Sequence, residues 1–233
     1  MVILFSIGGL ILAFVPAFVW LTLFLKEDMH PEPKSLIMKT FGIGALITLL
    51  VLVLQALTRL AMEGAYSELA LFSIAAFAFI EETMKFFSGY FYIRKKKEFD
   101  EPVDAMIYLV ALGLGFATIE NIFILFPYVI SPSATSFFEG GETIAMRFIG
   151  ATLLHTLTGA IVGYYWAKGI LKKSQGVYIA IGIVITTLIH MTFNYLLVVF
   201  QSINIIYPTI FLVAVSFFVL RDFEKIKEVQ RPI

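Results

Sequence analysis

The sequence predicts an all-α, polytopic transmembrane bundle of about seven helices. Three observations carry that reading. The chain is 60% hydrophobic and only 15% charged, with a mean hydropathy of +0.92, whereas a soluble domain is about half apolar and a quarter charged. Apolar runs of about 20 residues, the length that crosses a bilayer, recur along it. The connections between them are short and carry the Pro, Gly and Ser that end helices. Cysteine is absent, which excludes disulfides and thiolate metal sites.

The first helix is expected at roughly 2–25. Its opening, MVILFSIGGLILAFVPAFVW, has no basic leader region and no clear cleavage site, so it reads as a retained span. KEDMHPEPKS (Lys26–Ser35) ends it. A second span follows at roughly 40–58 and a third at roughly 69–93, the latter interrupted by Glu81, Glu82 and Lys85. The fourth is expected at roughly 105–129, before SPSATSFFEGGE (Ser131–Glu142), which reads as a loop. Spans at roughly 146–167, 177–200 and 204–220 complete the set. No linker marks a second domain, so 1–233 reads as one integral membrane domain without an internal repeat.

Basic residues set the orientation of such a chain. Lys26, Lys34 and Lys39 follow span one, and Arg94, Lys95, Lys96 and Lys97 follow span three. Lys168, Lys172 and Lys173 end span five, and Arg221, Lys225, Lys227 and Arg231 lie in the tail. The alternate connections hold only Arg59 and Arg147. Fourteen against two predicts the N-terminus outside and the C-terminus in the cytoplasm. The RKKK run is a topology signal with no substrate role. No nucleic-acid partner is expected, and the oligomeric state is left open.

Ionisable groups at membrane depth cost several kcal/mol and rarely face lipid. Here they are Glu81, Glu82, Lys85, Glu120, His155 and His190, with Asn194 one turn beyond His190 on the same helical face. At ~1.5 Å per residue, Glu81, Glu120, His155 and His190 lie ~14–18 Å from their predicted outer helix ends. Four helices of alternating direction therefore place polar groups in one layer, a polar chamber between the midplane and the outer surface. Lys85 is i+4 from Glu81 and i+3 from Glu82, so one carboxylate pairs with it and the other is left to hold or take a proton. The competing reading is an ion pair that only fixes helix packing. Gly113, Gly115, Gly159 and Gly163 are expected to let helices approach closely.

The ordered set EETMK (Glu81–Lys85), FATIEN (Phe116–Asn121) preceded by FDEPVDAMIY (Phe99–Tyr108), RFIGATLLHTLTGAIVGYY (Arg147–Tyr165) and HMTFN (His190–Asn194) resembles the PrsW family of intramembrane proteases. The likeness covers roughly 70–200, so the catalytic core is expected at about 69–200, with nothing distinctive in spans one, two and seven. PrsW is similar to the CAAX prenyl endopeptidase and bacteriocin-processing superfamily. There the first motif ends in arginine and the second in histidine; Lys85 and Glu120 at those places favour PrsW. The resemblance implies a membrane-anchored protein substrate, an anti-sigma factor for the founding member, cut on its outer side in a prokaryotic plasma membrane.

On this reading Glu81 is the base, tuned by Glu82 and Lys85, and His190 orients the water or donates to the leaving amine. Asn194 donates to the oxyanion, and Glu120 and His155 complete the chamber. Glu81 and Glu82 are not separable by sequence. A metal version stays open beside it: Glu120, His155 and His190 make a sufficient ligand set for a divalent ion such as zinc, with a second glutamate as base. Two other classes are a proton-coupled transporter, since carboxylate–histidine chains relay protons, and a non-catalytic scaffold. Paired broken helices and inverted repeats, the marks of a transporter, are not evident.

Overall fold

The computed structural model describes residues 2–62, 71–130, 134–200 and 206–230. Among these residues the ordered elements are helical. They are α1 (Val2–Phe24), α2 (Lys34–Ala61), α3 (Leu71–Ile93), α4 (Asp104–Ile130), α5 (Ala134–Ile149), α6 (Ala151–Leu171), α7 (Gln175–Phe200) and α8 (Ile206–Gln230), with one 3₁₀ turn at Leu25–Glu27. Five segments are long and apolar enough to cross a membrane: Lys34–Ala61, Asp104–Ile130, Phe138–Leu171, Gln175–Phe200 and Ile206–Val229. Each of the seven expected spans has its helix.

Three boundaries differ from expectation. Helix α2 starts at Lys34, directly after Pro33, the N-cap residue whose carbonyl accepts the Leu36 and Ile37 N–H groups at 2.8 and 3.1 Å. Helix α8 runs ten residues past its expected end. Phe223 and Ile226 are buried there, the Phe24 and Phe223 rings lie 5.9 Å apart, and Lys227 Nζ donates to Glu27 Oε2 at 2.5 Å. The expected loop at Ser131–Glu142 is largely helix α5. Gly140 and Gly141 each cost a helix about 1 kcal/mol, but Gly140 is buried against Leu125 and Tyr128 of α4, and packing outweighs propensity. Ser131 to Ser133 of that stretch lie outside the described residues. Gly150, with φ −106° and ψ −106°, breaks α5 from α6. The Phe148 carbonyl left over at the break accepts the Trp20 indole N–H at 2.8 Å.

Helix α4 is the axis of the bundle, buried almost continuously from Val103 to Thr118. A helix that is apolar all round belongs inside. Its glycines do what the sequence suggested. A Cβ on Gly113 would overlap the His155 carbonyl of α6, and one on Gly159 or Gly163 would overlap the Leu109 or Ala105 carbonyl of α4. Gly44 of α2 and Gly115 of α4 seat those two helices in the same way. Backbones this close fix the register of α4 against α6 and α2.

At the N-terminal end of α4, Asp104 Oδ2 accepts the backbone N–H groups of Asp100 and Glu101 at 3.0 and 2.8 Å. The Tyr108 hydroxyl donates to Glu32. Asp28 closes the preceding loop by accepting N–H groups from His30 and Glu32 at 3.1 and 3.0 Å.

Candidate active site

Glu81, Glu82, Lys85, Glu120, His155 and His190 converge from α3, α4, α6 and α7 into one network of polar contacts. On α3, Glu81, Glu82 and Lys85 are all buried. Lys85 uses its ammonium fully, donating to Glu82 Oε1 at 2.6 Å, His155 Nδ1 at 3.0 Å and Thr158 Oγ1 at 3.4 Å. The Phe116 ring lies 5.3 Å from Nζ, within cation–π range. Helix α7 brings His190, whose Nδ1 lies 2.7 Å from Glu82 Oε1. The two imidazoles meet edge to face, with centroids 5.2 Å apart.

A second arm runs through Glu120, whose Oε2 lies 2.9 Å from His155 Nε2 and 3.0 Å from an Arg147 amino group. Arg147 Nε donates to Asn121 Oδ1 at 2.6 Å, and Asn121 Nδ2 donates to Thr152 Oγ1 and to the Ala13 carbonyl at 3.3 and 3.2 Å. Arg147, counted in the sequence as an outer connection charge, is therefore held inside the bundle at the end of α5. Spans one and two, in which the sequence showed nothing distinctive, also reach the site. Helix α1 supplies the Ala13 carbonyl, and α2 supplies Gln55, whose Nε2 donates to Glu81 Oε1 at 2.7 Å.

Asn194 does not join this network through a hydrogen bond among the described residues. It lines a cleft of about 280 Å³ with Arg59, Ser73, Ile74, Phe77, Leu197 and Val198. This cleft lies one turn from the site. Arg59 is four residues from Gln55 on α2, Phe77 four from Glu81 on α3, and Asn194 four from His190 on α7. The Ser73 hydroxyl is buried there without a hydrogen-bond partner.

The two adjacent carboxylates have separate surroundings. Glu82 is held by a cation and an imidazole N–H. Glu81 Oε2 is buried with no hydrogen bond, 3.6 Å from His190 Nε2. Glu82 only accepts, so the His190 proton lies on Nδ1 there, and the Nε2 edge of the same ring faces Glu81. Around the site, buried Glu81 and Glu82 and half-buried Glu120 stand with the cations Lys85 and Arg147.

These features bear on a metal. Donor atoms of Glu81, His155 and His190 all lie within 4.8 Å of one another. Tetrahedral ligands at ~2.0–2.1 Å from zinc stand about 3.3 Å apart, near the Glu81–His190 separation. His190 also has the carboxylate partner that metal-bound histidines commonly keep. His155 has both nitrogens engaged and joins only by exchanging one bond. The set fits a divalent ion, with Glu81 in the place that the sequence-based triple gave to Glu120.

An all-helical membrane bundle with a buried carboxylate–histidine cluster is the class of protein that these observations define. The family model described as PrsW family intramembrane metalloprotease matches residues 32–220, and the chain belongs to that family. It is 29% identical over 210 residues to the Protease PrsW of Geobacillus kaustophilus (strain HTA426), covering 90% of this chain and 87% of that one. It is 30% identical over 195 residues to the Protease PrsW of Oceanobacillus iheyensis, covering 82% and 83%. To the Protease PrsW of Bacillus subtilis (strain 168) it is 26% identical over 208 residues, covering 88% and 89%. No solved structure matches the chain. The protein is thus an integral membrane endopeptidase of a prokaryotic membrane, in a family whose description is compatible with a divalent metal.

Proposed function

We propose that this endopeptidase works through Glu81, in a polar chamber open toward the outer side of the membrane, with the N-terminus outside and the C-terminus in the cytoplasm. The observation that carries this reading is Glu81 Oε2, buried without a hydrogen bond and facing His190 Nε2 at 3.6 Å, in a network where the neighbouring groups are bonded. A water between these two atoms gives its proton to Glu81 Oε2 while its oxygen attacks the scissile carbonyl. The same carboxyl then returns the proton to the leaving amine. Glu82 and Lys85 hold His190 and His155 in their orientations, and Arg147 holds Glu120 against His155. Asn194, at the mouth of the chamber, donates its amide N–H to the oxyanion. A divalent metal, where one is bound, would be held by Glu81, His155 and His190 and would supply Lewis-acid polarisation of the carbonyl and a more readily ionised water, and a second glutamate would then take the base role.

The cleft supports the open side. It lies at the C-terminal ends of α2 and α7 and the N-terminal end of α3, which the basic-residue bias places outside. The substrate is a membrane-anchored protein, with an anti-sigma factor as the first candidate from the resemblance. The test is cleavage in detergent of a tagged, single-span anti-sigma factor by purified protein. The parent is expected to cleave it near its outer membrane boundary, and His190→Ala is not. Equal cleavage by parent and His190→Ala would overturn the site. Activity that needs sealed vesicles and a gradient would indicate transport instead.

A further inference from the structure

The sequence assigns no chemistry to α2, yet its Gln55 makes the one hydrogen bond that Glu81 has among the described residues. Gln55 lies in the apolar run LITLLVLVLQALTRLA. An amide placed in such a run costs free energy unless it is paired. Its N–H occupies Oε1 of Glu81 at 2.7 Å, and Oε2 is the oxygen left over, 3.6 Å from His190 Nε2. Without that bond the carboxylate has another partner within reach. Lys85 is four residues along α3, the spacing at which Glu and Lys pair on a helix, and its ammonium is now committed to Glu82, His155 and Thr158.

We propose that Gln55 is a positioning residue that holds Glu81 as the carboxylate ligand of a divalent cation. By fixing one oxygen, it directs the other into the space shared with His190 and His155 and keeps the carboxylate from turning toward Lys85. This inference rests on the metal version of the proposed function, and it predicts an effect on metal affinity before any substrate is present.

The test uses the full chain, purified in detergent, stripped with chelator and titrated with Zn²⁺ against a chromophoric competitor. Gln55→Met keeps the bulk of the side chain and removes the amide donor. Gln55→Asn keeps an amide but is one carbon too short to reach Glu81. Both are expected to weaken Zn²⁺ binding by ~10–100-fold, the range for loss of a partner that orients a ligand. Both should also change the visible spectrum of the Co²⁺-substituted protein while leaving the apo melting temperature unchanged. Zn²⁺ affinity of Gln55→Met within about twofold of the parent overturns the proposal. So does loss of zinc only in step with a lowered melting temperature, which would mark a packing role, and so does a parent protein that takes up no stoichiometric Zn²⁺. Because no substrate enters the titration, a protein that cleaves normally but binds zinc indifferently to Gln55 sinks this inference alone. One that binds zinc as expected but cleaves nothing sinks the protease site alone.

Discussion

Replacing each glutamate of the doublet by glutamine should separate catalysis from packing. Glu81 Oε1 accepts one hydrogen bond, from Gln55, and Oε2 accepts none. A glutamine at 81 can still accept from Gln55, and its new N–H₂ can face His190 Nε2. The change in stability should stay within ~1 kcal/mol, the net worth of one neutral hydrogen bond. The rate should fall by ~10²–10⁴-fold, because an amide cannot take a proton from water. That is about 3–5 kcal/mol of barrier at ~1.36 kcal/mol per decade. Glu82 differs. It is 1% exposed and faces Lys85 Nζ at 2.6 Å and His190 Nδ1 at 2.7 Å. Glu82→Gln leaves the Lys85 ammonium buried without its carboxylate, which costs about 3–5 kcal/mol when one member of a buried pair is removed. The assay is cleavage rate of a tagged single-span substrate alongside thermal unfolding in the same detergent. Glu81→Gln should be inactive and stable, Glu82→Gln inactive and unstable. Parent-like cleavage by Glu81→Gln, or parent-like melting of Glu82→Gln, refutes the assignment of roles.

Other consequences are open to simple tests. The chain has no cysteine, so one introduced at exposed Glu139 should label with an impermeant reagent in intact cells, and one at Lys95 should not; the reverse pattern would invert the topology. Ser133, the obvious loop position from sequence, lies outside the described residues, and Glu139 serves in its place. Gly159→Leu should lower stability by ~3 kcal/mol, the upper end of the range for overpacking, since its side chain meets the Leu109 backbone and not a side chain that can turn aside; unchanged melting would refute the glycine contact. Chelation should abolish cleavage and Zn²⁺ should restore it, whereas full activity in metal-free protein would leave Glu81 and His190 acting on water alone. Burial raises the Glu32 carboxyl above its ordinary value, although the Tyr108 hydroxyl lowers it. The folded state then keeps a proton that the unfolded chain releases, so the contribution of Glu32 to stability is greatest in acid and is lost as pH rises from about 4.5 through the raised value. Glu32→Gln should flatten that slope in a melting series.

Charge carried most of the site's legibility in the sequence. Glu81, Glu82, Lys85, Glu120, His155 and His190 stood out because an ionisable group in an apolar span has to be partnered, and their depths placed them in one layer before any contact was known. The same rule applied to neutral amides would have singled out Gln55, whose cost in a membrane is smaller but of the same origin. Arg147 opens the stretch RFIGATLLHTLTGAIVGYY but was counted as a connection charge, because its bonds to Glu120 and Asn121 depend on how α5 packs on α4. Which glutamate is free was not legible, because it depends on how α7 and α2 sit against α3. Helix order and span lengths follow from apolar runs, whereas the ends of α5 and α8 were set by tertiary contacts.

The glycine-seated contact between α4 and α6 has a consequence for the bilayer around it. Helices adjust to a thicker or thinner membrane by tilting and sliding, at a fraction of a kcal/mol per ångström of mismatch. A pair separated by side chains can slide by changing rotamers. This pair cannot, because Gly113 lies against the backbone of His155, and a shift of one residue would drive a neighbouring side chain into that carbonyl. The spacing of Glu120 on α4 from His155 on α6 is thereby insulated from lipid chain length. Adaptation to bilayer thickness falls to the peripheral helices, so the same centre can be carried between membranes of different composition without losing its geometry.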